Sequence, residues 1–129
     1  MCRIDSQICK LKMSITHVNA IVSNLQKPQN SSTERFLIDS GAVYSVMPES
    51  VLKKLGIKPT HNQQFSLANG EVIEKPVGNA LFEYRGKTGA SPVVFGELGI
   101  FLLGAVTLET LGMILDPINR ELKPLPMLL

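Results

Sequence analysis

The sequence predicts a mainly β fold, a compact closed barrel or orthogonal sandwich carrying one or two short helices. Three observations lead there. Short apolar or β-branched runs recur along the chain between clusters of turn residues, which is the punctuation of strands. Asn69-Gly70 joins two alternating segments, the strongest short-range hairpin signal. Helical patterns appear only twice, and each is short and closed by a glycine, Gly56 and Gly112.

The elements follow in order. Residues 1–12 show no clear period and read as an N-terminal extension, with residues 13–129 as a single domain. Residues 15–22 mix apolar and β-branched positions with polar ones and are expected as a strand. Residues 24–33, rich in Asn, Gln, Ser and Pro, read as a surface loop. Residues 34–38 form a second strand and 44–47 a third. From Pro48 to Gly56 the pattern is helical: Pro48 suits the first turn, Glu49 the positive end of the dipole, and Lys53 and Lys54 the negative end. Residues 65–68 and 71–74 flank the Asn-Gly pair. Strands are then expected over 79–85 and 91–95, with a turn around 86–89. A further buried strand, 100–104, ends in glycine and leads to a helix over 106–111. Strands over 113–115 and 122–127 close the chain around an Asp116-Pro117 turn. The tail, residues 122–129, is strongly apolar for a terminus and is expected at a subunit interface, against the strand over 15–22.

Composition excludes several function classes. The 13 basic and 11 acidic residues nearly cancel, and the basic ones do not alternate with aromatics, so no nucleic-acid surface is expected. Cys2 and Cys9 have no His or further Cys at metal-ligand spacing; they read as thiols of a reducing, cytoplasmic compartment, and no metal or organic cofactor is expected. The most apolar stretch, 98–108, is about half the length a membrane helix needs. Gly86-Lys87-Thr88 has Leu81 where a phosphate-binding loop needs its first glycine. Asn30-Ser31-Ser32 matches a glycosylation sequon without secretory context.

Asp39 carries the chemistry. It ends the run Phe36-Leu37-Ile38 and is followed by Ser40, Gly41 and Ala42. A carboxylate at the end of a buried strand is costly unless it is paired or used. Gly41 is expected to supply a turn through a positive φ. As three residues alone, Asp39-Ser40-Gly41 is equally an ordinary β-turn. Around the triplet stand an Asn-Gly hairpin and a second apolar-apolar-glycine segment, Leu102-Leu103-Gly104, before a short helix.

This arrangement resembles the retropepsin-like aspartic proteases of retroviral type, from about Ile15 to the C-terminus. Further matches are Ala42-Val43-Tyr44-Ser45-Val46-Met47-Pro48 and residues 103–112, and Leu115-Asp116-Pro117 with Leu122-Lys123-Pro124 is similar to a small prokaryotic branch. The resemblance implies a retropepsin-like barrel and a catalytic Asp39, with Ser40, Gly41 and Ala42 supporting its loop. It also implies a substrate-binding flap tipped by Ala68, Asn69 and Gly70, and a hydrogen bond from Ser40 across a dimer. Val43 departs from the Asp or Thr of many members.

Amide hydrolysis by water needs one group to take a proton and another to give one. Two carboxylates sharing one proton do both, as aspartic proteases are known to do. The chain has three aspartates, and neither Asp5 nor Asp116 has a Ser-Gly after it. One chain therefore lacks a symmetric pair, and a homodimer supplies it across its twofold axis. The expected activity is aspartic endopeptidase on a peptide or protein substrate. The alternatives are an inactive retropepsin-like domain for dimerisation or peptide binding, and a β-barrel interaction module in which the triplet is only a turn.

Overall fold

The computed structural model describes residues 16–125. Strands β1 (His17–Ser23) and β2 (Ser31–Ile38) pair antiparallel from His17↔Leu37 to Ser23↔Ser31. β2 thus begins at Ser31, three residues earlier than the polar composition of that segment suggested. Ser31 and Thr33 are exposed, so their polarity fits a strand with one wet face.

β3 (Ser45–Pro48) runs straight into α1 (Glu49–Lys54). Pro48 is the N-cap, with extended backbone at φ −60° and ψ 137°. Glu49 and Lys53 pair at 2.7 Å one turn apart. The helix ends in a Schellman motif. The amide of Gly56, at φ 80°, donates to the Lys53 carbonyl, and that of Ile57 to the Leu52 carbonyl.

β4 (His61–Ser66) and β5 (Val72–Tyr84) form a long hairpin. Asn69-Gly70 is not the centre of a two-residue turn. Leu67 and Glu71 pair at 2.8 Å, the Gly70 amide returns to the Leu67 carbonyl at 2.9 Å, and Gly70 follows at φ 90°. This is the three-residue loop Ala68-Asn69-Gly70, a tight turn followed by a left-handed residue. β5 runs unbroken through Lys75-Pro76-Val77-Gly78, where Pro and Gly had suggested a gap. Pro76 stands one residue before the β5 ladder with β6 (Lys87–Gly96) begins, at Val77↔Val94. The two-residue hairpin turn is Arg85-Gly86, with φ 49° and 81° at its two positions and Tyr84↔Lys87 closing it. It replaces the turn expected over 86–89.

β7 (Leu102–Leu103) is a two-residue strand, shorter than expected, wedged between two others. It is parallel to β2 through Leu37↔Leu102 and Ile38↔Leu103, and antiparallel to β3 at Val46↔Leu102. The seven-stranded order is β1-β2-β7-β3-β6-β5-β4. A further pairing of β1 with β5, at Ile21↔Glu83 through Ser23↔Leu81, closes the sheet into a ring. α2 (Ala105–Thr110) follows β7, and β8 (Met113–Asp116) with β9 (Glu121–Pro124) make a separate two-stranded sheet.

The core fills the ring. Phe36 meets Phe82 and Phe101 edge-on at 6.1 and 5.7 Å, an arrangement aromatic pairs favour. Met47, Val93 and Leu103 are buried around them, as are Leu52 of α1 and Leu108 of α2. Leu122 of β9 is buried in this same core, so that part of the tail covers its own subunit; residues 126–129 lie outside the described residues. The same holds for residues 1–12 with Cys2 and Cys9. No helix among the described residues is long and apolar enough to cross a membrane.

Candidate active site

Asp39 leaves the end of β2 held by its own backbone. Its amide donates to the Leu103 carbonyl at 2.9 Å, which continues the β2–β7 ladder one residue past the strand. Its carbonyl accepts the Ala42 amide at 3.1 Å, closing a turn over 39–42. Its carboxylate oxygen Oδ1 accepts the Gly41 amide at 3.0 Å. A side chain that bonds the backbone two residues on is the Asx-turn habit of aspartate. Here it aims one carboxylate oxygen and leaves the other without a partner among the described residues. Asp39 is half-buried; Ser40 and Gly41 are exposed, and Ala42 is half-buried.

The glycine at 41 serves a different purpose from the one its sequence context suggested. Its φ is not positive. A Cβ there would stand 3.3 Å from Asp39 Oδ1. Glycine here gives the carboxylate oxygen room that a Cβ would crowd, rather than a left-handed turn.

Behind the loop, β7 and α2 form its support. Gly104 lies so close that a Cβ would meet the Tyr44 carbonyl carbon and oxygen at 2.6 Å. The first two amides of α2 have no partner inside the helix. Ala105 donates to the Ala42 carbonyl at 2.8 Å and Val106 to the Val43 carbonyl at 3.0 Å. The loop that carries Asp39 is therefore also the cap of the helix. A buried hydroxyl chain locks the join: Ser45 Oγ accepts the Gly104 amide at 3.0 Å and contacts Thr107 Oγ1 at 2.5 Å, which contacts Ser91 Oγ at 2.7 Å. All three side chains are buried, and such groups keep their place only with partners satisfied. Ser45 and Thr107 lie within the matched stretches of the sequence, but nothing there joined them to each other or to Ser91. The one available signal was a threonine on the buried face of a short apolar helix.

On its other side, the segment after Asp39 shares a cleft with the β4–β5 hairpin. Phe65 stacks edge-on against Tyr44 at 6.1 Å. Between them opens a mostly apolar cleft of about 510 Å³, walled by Gly41, Ala42, Val43 and Tyr44 on one side and by Phe65, Ser66 and Ile73 of the hairpin on the other. Lys75 and Glu97, 4.0 Å apart, stand at its edge. Ala68, Asn69 and Gly70 are exposed at the hairpin tip, beyond the cleft wall. Asn69 holds the tip by accepting the Glu71 amide and donating to the Glu71 carboxylate, both at 2.9 Å. Val43 is largely exposed, an apolar residue at the mouth of the cleft.

The other described aspartate is already engaged. Asp116 accepts the Ile118 and Asn119 amides at 3.0 and 3.3 Å and pairs with Lys123 at 3.0 Å. The Lys123 ammonium, with the Asn119 and Ile118 donors, holds its carboxyl down at about 2. It is a structural carboxylate of the β8–β9 turn. Among the described residues no three His, Cys, Asp or Glu side chains gather as a metal site.

The loop after the strand-end acid is thus held in an Asx-turn, braced from behind by an apolar-apolar-glycine segment, and shares a cleft with the β4–β5 hairpin. The family model described as Aspartyl protease matches residues 18–105, from β1 to the first residue of α2. The chain belongs to the aspartyl protease family, and is an aspartic-type endopeptidase by that membership. Solved structures share the fold. The simian foamy virus (mac) protease in solution aligns at a TM-score of 0.50 and 16% identity, over 71% of this chain and 92% of that one. The EIAV protease complexed with the inhibitor HBY-793 aligns at 0.58 and 17%, over 79% and 92%. A foamy viral protease-reverse transcriptase, solved in complex with an RNA/DNA hybrid, aligns at 0.55 and 14%, over 90% of this chain and 13% of that one. The architecture is thus retropepsin-like. No curated protein sequence matches the chain.

Proposed function

We propose that residues 13–129 form one domain that works as a cytoplasmic homodimer, in which Asp39 from each copy binds and activates one water for peptide-bond hydrolysis. The observation that carries this reading is the Asp39 loop: a half-buried strand-end carboxylate fixed through one oxygen by Gly41, with its backbone tied to β7. Asp116, the other described aspartate, is committed to Lys123 and its own turn, so among the described aspartates only Asp39 is left for the chemistry. Two such carboxylates brought together by a twofold axis cannot both ionise, and the pair keeps one proton to donate while the other oxygen accepts one from water.

The substrate is an extended peptide. It lies in the apolar cleft between the Asp39 loop and the β4–β5 hairpin, and the tip Ala68-Asn69-Gly70 serves as a flap that excludes water. Ser40, exposed beside the acid, hydrogen-bonds to the second copy, and Gly41 and Ala42 shape the loop. No cofactor takes part.

The test is Asp39→Asn, which keeps shape and removes the shared proton. Cleavage of a peptide library should fall by at least about 10²–10⁴-fold while thermal unfolding is unchanged. Undiminished turnover by a homogeneous mutant would remove the aspartic mechanism. Peptide binding without any Asp39-dependent cleavage would favour the inactive peptide-binding alternative.

A further inference from the structure

On β2 the side chains alternate between the two faces of the sheet. Phe36 and Ile38 are buried, while Leu37 is half-exposed and Arg35 exposed on the opposite face. The β1–β2 register sets His17 across from Leu37 and Asn19 across from Arg35. His17, Arg35 and Leu37, with residues 99–102, line a groove of about 400 Å³. Ile100 is common to this groove and to the cleft under the hairpin, so the two hollows share a wall.

The electrostatics of the groove are one-sided. Among the described residues it is lined by a guanidinium and an imidazole and by no carboxylate. None of the three ion pairs among the described residues uses Arg35 or His17. A guanidinium presents a planar fork of donors that fits a carboxylate through two parallel hydrogen bonds. His17 adds an N–H donor in either protonation state.

We infer that this groove continues the substrate cleft and selects peptides with an Asp or Glu side chain at a fixed distance from the bond that is cut. This rests on the reading that the Asp39 cleft takes the peptide. Four strand positions separate Arg35 from Asp39, about 13 Å at ~3.3 Å per residue. An extended peptide crosses that span in about four residues, and the length of the arginine side chain shortens it to three or four. The positions between face Leu37 and Ile100 and take apolar side chains. Arg35 is thereby a specificity-determining residue, separate from the acid chemistry.

The experiment digests a randomised peptide library with the full chain and reads cleavage products by mass spectrometry, for wild type, Arg35→Gln, Arg35→Glu and Asp39→Asn. Wild type should enrich Asp and Glu three or four residues from the cut by about fivefold, the discrimination of one partly exposed ion pair. Arg35→Gln should flatten that enrichment, and Arg35→Glu should replace it with enrichment of Lys and Arg. A merely structural arginine would lower all cleavage without changing which residues are enriched, and that result overturns the inference. So does Asp39-dependent cleavage by wild type with no acid preference, which leaves the catalytic reading intact. Binding gives a second readout: Asp39→Asn protein should bind a labelled apolar peptide carrying one Glu about fivefold tighter than its Gln counterpart. That preference with no Asp39-dependent cleavage by wild type would sink the catalytic reading and sustain only the groove's choice of acidic peptides; equal affinities would sink the inference.

Discussion

A methyl group on residue 104 would sit 2.6 Å from the Tyr44 carbonyl. No real Cβ lies so near a backbone atom, and backbone yields less than a side-chain tip. Gly104→Ala should therefore cost about 3 kcal/mol, read as a lower denaturation midpoint, and should reduce cleavage further because the displaced partner is the Asp39 loop itself. Thr107→Val tests the hydroxyl chain. It leaves the buried Ser45 and Ser91 hydroxyls short of a partner, at a cost of about 1–3 kcal/mol; Thr107→Ser should recover most of that in the same denaturation measurement. Asp39 stood out in the sequence because an acid directly after Phe-Leu-Ile is costly to bury unless it is paired or used. The Ser45–Thr107 contact did not, since its members lie 62 residues apart and neither hydroxyl by itself points to the other. Gly41 was legible as a glycine but not for its reason, which is a carboxylate oxygen that only the folded turn brings beside it.

The hairpins teach a similar lesson one level up. Asn-Gly marked the β4–β5 turn correctly, but the loop has three residues, and its glycine takes the left-handed position after the turn. Gly70→Val places a β-branched side chain at φ 90°, with an expected cost of roughly 1–3 kcal/mol. Nothing lies within 4 Å of a Cβ there, so the loss is conformational. Cleavage should suffer more than global stability, as measured by kcat/KM against the unfolding midpoint. The tighter turn, Arg85-Gly86, was misplaced because arginine at a positive φ leaves no compositional trace. At the β8–β9 turn, Asp116 sets a pH dependence. Its folded-state pKa is depressed from 3.8 to about 2, so the carboxylate stabilises the fold fully above the unfolded value. That contribution is lost as pH falls from about 4 towards 2. Thermal unfolding across this window should fall more steeply for wild type than for Asp116→Asn.

For the molecule as a whole, the recurrence of short strands between turn residues was enough to indicate a mainly β ring with short helices. What it could not indicate was which strands close the barrel, because β1–β5 pairing joins residues some 60 positions apart and no local pattern encodes a long-range ladder. The insertion of two-residue β7 between β2 and β3 is illegible for the same reason. The proposed assembly makes a prediction at this scale. Specific activity should decline on dilution, since neither copy alone holds two acids, and a covalently linked dimer should resist the decline. A fully active monomer, identified by sedimentation under assay conditions, would contradict it.

The helix cap formed by the Ala42 and Val43 carbonyls has a consequence for measurement. First-turn amides of an isolated helix exchange their protons with solvent almost at will. Those of Ala105 and Val106 are instead bonded to the segment just after Asp39, so deuterium uptake at these two positions tracks the opening of that segment. Their exchange rates should slow together when an inhibitor seats beside the carboxylate, and should quicken together in Gly104→Ala, while amides of β5 and β6 keep their wild-type protection. Two backbone protons on a helix thus serve as a substrate-free gauge of whether the acid is held ready.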